Sequence, residues 1–142
     1  MPTPTGRKNG GYFNFELNCI GTLLVYYIED SERIGASFKK CEPIKAEFVQ
    51  DMTVFHSIPG KTEQEIATPI EWSLEYNIPF ALFEAYLGPL NPGKDTIWKG
   101  NFYKCGDHTS HPHWASWSSI GEVLNFHQPD LFGKLEFGQF RR

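Results

Sequence analysis

The sequence predicts an all-β domain, a two-sheet antiparallel β-sandwich of jelly-roll type, and three observations lead there. The chain holds 12 Phe, 6 Tyr and 4 Trp against only 2 Met, and it carries 13 Gly and 10 Pro. Aromatic residues favour strands, while Gly and Pro punctuate them with tight turns. Several segments alternate apolar and polar residues with the two-residue period of a strand. Finally, 142 residues suit one domain with an adequate core, whereas two would each be too small.

The elements follow in chain order. Residues 1–11, with Pro2, Pro4, Gly6, Gly10 and Gly11, read as an extended lead-in, and residues 12–142 as the sandwich. Tyr12–Asn18 sends Phe13, Phe15 and Leu17 to one side and Tyr12, Asn14, Glu16 and Asn18 to the other, a half-buried strand with a polar outer face. Gly21 separates it from Thr22–Ile28, an apolar run that suits its hairpin partner and closes at Glu29-Asp30-Ser31. Between Ile44 and Ile58, Ala46 and Phe48 precede Met52, Val54 and His56 with a shift of parity near Gln50-Asp51, which predicts two short strands. Pro69–Phe80 gives the clearest alternation, through Ile70, Trp72, Leu74, Tyr76 and Ile78. Pro79–Leu87 fits a helix of a turn or two, opened by proline and stopped by Gly88. Thr96–Cys105 alternates again, Cys105–Gly121 has no clean period, and Leu131–Phe140 closes the domain with alternation from Gly133 to Phe137.

Several function classes are disfavoured by composition. Net charge is −4, and no basic run exceeds a pair such as Arg141-Arg142, so the electrostatic footprint of a nucleic-acid binder is missing. No stretch of about 20 apolar residues spans a bilayer, and the first eleven residues lack the apolar core of a signal peptide. Cys19, Cys41 and Cys105 are odd in number and show no CxxC spacing. Buried free thiols are expected, with a bridge from Cys41 to Cys105 or to Cys19 as the alternative.

Chemistry concentrates between Trp98 and His127, which holds three of the four Trp and four of the five His. Saccharides present apolar C–H faces edged with hydroxyls, so their sites combine aromatic platforms with amide or charged partners. Trp114 and Trp117 are the candidate platforms, three apart and therefore on different faces of a strand, with Trp117 favoured as the exposed member. Asn101, Tyr103 and Lys104 are the candidate hydrogen-bonding partners. His108, His111 and His113 form H-x-x-H-x-H, but a loop rich in Ser, Thr and Pro orients metal ligands poorly, and no metal or cofactor is expected. Asp107 beside His108 lacks a recognisable nucleophile or second carboxylate, so no catalytic residue is assigned.

The runs YFNFELNCIGT (Tyr12–Thr22), W-x-L-E-x-x-I-P-F (Trp72–Phe80), GNFYKCGD (Gly100–Asp107), PHWASWS (Pro112–Ser118) and NFHQPDLFGKLEF (Asn125–Phe137) together resemble the carbohydrate-binding module family 9-like domains. The likeness covers about residues 11–138. It implies a two-sheet sandwich, export from a bacterial cell, and a non-catalytic role in holding oligo- or polysaccharide between tryptophans. Trp117 is the residue carried across, and Asn14 is a further amide. Domains of this kind have strands upstream of the one matched by Tyr12–Asn18, which this chain is expected to lack. An open edge there would favour a homodimer. Two other readings stand beside it. Met52 and His56 supply axial ligand types for a haem-binding redox sandwich, and Glu16 with Asp107 would be the carboxylate pair of a small glycoside hydrolase.

Overall fold

The structure, a computed structural model, describes residues 11–60 and 64–138. The lead-in falls almost wholly outside these residues, as does Phe140 at the end of the expected closing strand. The described residues form an antiparallel all-β sandwich. Strands β1 (Tyr12–Leu17), β2 (Leu23–Ile34) and β3 (Ser37–Pro43) make a three-stranded meander. Three further pairs join β4 (Thr53–His56) to β5 (Leu74–Asn77), β6 (Ile97–Gly100) to β9 (Gly133–Glu136), and β7 (Tyr103–Gly106) to β8 (His113–Ser116).

The alternation in β1 is used on both faces. Phe13 packs with Val25, Met52, Leu82, Phe83 and Trp98 in the main core, while Tyr12, on the opposite face, packs with Ile28 and Phe132 in a second cluster. The expected polar outer face is therefore wrong for its first half, since Tyr12 and Asn14 are 1% and 2% exposed. On that face Glu16 and Asn18 are open.

The hairpin partner is longer than its apolar run. β2 continues through the polar segment to Ile34, turns at Gly35 (φ +61) and returns as β3. A positive φ at the first central residue of a two-residue turn matches the twist of the strands it joins. Lys39 pairs with Glu32 at 2.6 Å and Lys40 with Glu29 at 2.5 Å along this exposed ribbon.

Two short strands were expected between Ile44 and Ile58, but the first is a helical turn, α1 (Ala46–Val49), and only β4 is a strand. The parity shift near Gln50 is the exit of that turn, where the Gln50 amide bonds the Ala46 carbonyl at 3.0 Å. The helix α2 (Phe80–Leu87) forms as expected, with Gly88 at φ +81 ending it. It buries Leu82 and Phe83 against Phe13 and Trp98, which places the main core between α2, β6 and the β1–β2 hairpin.

Candidate functional site

A cleft of about 790 Å3 runs past β1, the start of β2, β5, β7 and the approach to β9. Of the six residues proposed from sequence for ligand binding, Asn14, Asn101, Tyr103 and Lys104 line it.

Asn14 stands on the second face of β1, where burial leaves little room for unsatisfied polar atoms. Its Nδ2 donates to Glu16 Oε1 at 2.7 Å, but its Oδ1 is enclosed and has no partner. Tyr103 stacks on Phe126, ring centroids 4.4 Å apart at 16°, and its enclosed hydroxyl makes no well-aligned hydrogen bond. Burial raises the pKa of that hydroxyl, with the Asn101 amide pulling partly the other way. Lys104 is exposed, and its ammonium bonds the Cys105 carbonyl at 3.4 Å and lies 6.0 Å from the centre of the Trp72 ring.

Asn101, 1% exposed, works inward. Its Nδ2 donates to the Ser118 carbonyl at 2.9 Å, and its Oδ1 accepts from the Phe102 amide at 2.9 Å and the Ser118 amide at 2.8 Å. The Trp117 amide then donates to the Phe102 carbonyl at 2.9 Å. These bonds tie the β6–β7 corner to the chain leaving β8. They fix where Trp117 stands.

Trp117 is 56% exposed, so it is outside the core. Its indole meets the Phe102 ring edge to face at 5.7 Å and lies across Gly133, where a Cβ would come within 2.7 Å of Cζ3. Phe102 is 52% exposed and also lines the cleft, so one aromatic surface connects Trp117 to the cleft mouth. Trp114 is exposed on β8, its Nε1 donating to Asp107 Oδ1 at 2.6 Å.

His127, at the cleft wall, shares a hydrogen bond of 2.8 Å between its Nδ1 and the Tyr12 hydroxyl. Burial, and after it the Arg33 charge, lowers its pKa to about 4. Burial likewise raises the Tyr12 hydroxyl far above its ordinary value.

The rival residue sets are not assembled. Met52 belongs to the main core, and His56 bonds the Ile58 carbonyl at 2.8 Å. Glu16 lines the cleft, whereas Asp107 is held by the Cys105 thiol and the Trp114 indole, which lower its pKa. Among the described residues no three His, Cys, Asp or Glu side chains group to hold a metal ion, and Cys19, Cys41 and Cys105 are unpaired.

Sequence reasoning missed Trp72 and Phe102. Trp72 fits the alternation of the strand expected from Pro69, but β5 begins only at Leu74, and the half-buried indole lines the cleft ahead of it. An apolar residue facing a cleft has the same periodicity as one facing a core. The exposed aromatic of Phe102, set between Asn101 and Tyr103, was the available signal.

No curated protein matches the chain. Among solved structures it is similar to a "putative carbohydrate-binding protein" from Bacteroides uniformis, at 32% identity and a TM-score of 0.68, over 96% of this chain. The chain spans 58% of the length of that protein. The model of carbohydrate-binding family 9 matches residues 5–137, nearly the whole sequence and every element described above, and the chain belongs to that family.

Proposed function

We propose that this chain is a non-catalytic domain that holds oligo- or polysaccharide, by stacking on Trp117 and by hydrogen bonds from the cleft. One observation carries this most: an indole 56% exposed is nevertheless fixed, by the Phe102 ring, the Gly133 backbone and the Asn101 bonds beside it. Large exposed aromatics held rigid suit ligand contact, because little side-chain freedom is lost on binding. The adjoining cleft supports the same function, since Glu16, Asn18 and Lys104 give it exposed polar side chains suited to sugar hydroxyls. Family membership supports sugar as the ligand class. An extracytoplasmic site of action belongs to the same proposal, as that is where a polysaccharide binder meets its ligand.

The test is Trp117→Ala on a glycan array, with melting measured alongside. Binding is expected to vanish while the melting temperature moves little, because the indole adds little to the core. A core Trp truncated to Ala would instead cost about 3–5 kcal/mol. Unchanged glycan binding by Trp117→Ala refutes the platform.

A further inference from the structure

We infer that the Phe102–Trp117 surface and the cleft are adjoining subsites of one track, so that the ligand is at least two sugar units long and Trp72 with Lys104 reads the inner unit. This rests on the sugar-binding proposal above and extends it to ligand length and to two residues outside the tryptophan platform.

Size is the first reason. Ligand pockets run from about 300 to 1,000 Å3, and this cleft, at about 790 Å3, lies high in that range. One pyranose stacked on Trp117 leaves it empty. Continuity is the second, because the Phe102 ring touches Trp117 and also lines the cleft. A chain resting on the platform is led inward.

The third reason is the chemistry of the walls. A sugar hydroxyl both donates and accepts a hydrogen bond, and the cleft wall presents a strong donor at its surface, the exposed Lys104. The Lys104 ammonium is a donor whose described bond, to the Cys105 carbonyl, is long at 3.4 Å. It takes part in none of the ion pairs among the described residues, all of which lie on the β2–β3 ribbon. An ammonium about 6 Å from an indole centre is attracted to the ring face, so Trp72 favours conformers that keep Lys104 in the cleft.

Trp72 itself is placed. The next residue, Ser73, is bonded twice to Ser57, through its amide to Oγ at 2.8 Å and through its carbonyl to the Ser57 amide at 3.0 Å. Earlier in the same connection, Glu65 accepts from the amide and hydroxyl of Ser110 at 2.9 and 3.0 Å. A long connection without helix or strand among its described residues would ordinarily leave an aromatic loosely held. These bonds anchor it beside β7.

Titration calorimetry tests the inference with D-glucose, D-xylose, D-mannose and D-galactose and with the β-1,4-linked disaccharide and tetrasaccharide of each. For at least one series the wild type is expected to gain about tenfold or more in affinity from monosaccharide to disaccharide, which is ~1.4 kcal/mol. Trp72→Ala and Lys104→Met should abolish that gain, and Trp72→Phe should restore part of it. Trp117→Ala should lose the gain and monosaccharide binding together. An affinity independent of chain length in the wild type overturns the inference, as does a gain that survives in Trp72→Ala. Wild-type protein that binds no sugar in any series overturns instead the proposal on which it rests.

Discussion

Asn101→Ala removes one carboxamide that closes at least three hydrogen bonds, to the Phe102 amide and to the amide and carbonyl of Ser118. Each net bond of this kind is worth about 1 kcal/mol, and a buried backbone group left unpaired costs about 1–3 kcal/mol. Some of these groups will find water from the neighbouring cleft, so the expected loss is about 3 kcal/mol. For a domain near this size, with about 2–4 °C of melting temperature per kcal/mol, the shift is roughly 6–12 °C. Urea denaturation followed by circular dichroism measures the first quantity and calorimetry the second. The same bonds fix Trp117, so sugar affinity should fall together with stability, even at temperatures where the variant is fully folded. Asn101→Asp keeps the acceptor for the two amides and loses only the donor to Ser118, so it should fall between alanine and wild type. A loss under about 1 kcal/mol with normal sugar binding would refute the clamp described here.

Two further perturbations test the surroundings. Gly133→Ala places a methyl group 2.7 Å from the Trp117 ring, which should turn the indole, weaken sugar binding and lower stability; the double variant Trp117→Ala/Gly133→Ala should recover the stability, and simple additivity would refute the contact. His127 has a pKa lowered from 6.5 to about 4, so the unfolded chain binds its proton more readily, and stability should be full above about pH 6.5, decline as pH falls, and level off below about 4. The shift sets a ceiling near 3 kcal/mol, which solvent screening of this half-buried ring reduces to about 1–2 kcal/mol. His127→Gln should remove that part of the acid dependence, and a variant with the wild-type slope between pH 6.5 and 4 would refute the assignment.

Much of the fold was legible because its elements bury one face. α2 announced itself through Pro79 and Gly88, and β9 through alternation from Gly133. The outer part of the β2–β3 ribbon, beyond Ile28, was invisible because ion pairs and a glycine turn hold it, and neither leaves an apolar period. α1 mimicked a strand because four residues are too few to distinguish the two periods. Within the site, residue types were readable and roles were not. Asn101 and Asn14 are both buried amides in the cleft wall, yet one bonds backbone through both its oxygen and its nitrogen and the other bonds the Glu16 side chain. That distinction depends on contacts such as Asn101 to Ser118, seventeen positions away, which spacing does not encode.

β1 is the common wall of two apolar clusters, with Phe13 in one and Tyr12 in the other. Neither cluster can loosen without disturbing the strand that serves both. Glu16, exposed in the cleft, is carried on that strand and accepts from the Asn14 amide at 2.7 Å, so a carboxylate of the cleft is attached to one of the segments least free to fluctuate. A polar group held this way has surrendered its motion during folding, and under the proposed function a sugar reaching it would meet an acceptor already in position. Most of the entropic loss of association would then fall on the ligand, and a hydroxyl directed a little differently would find no side chain ready to follow it. Discrimination among epimers would follow from stiffness in the backbone as much as from the number of bonds.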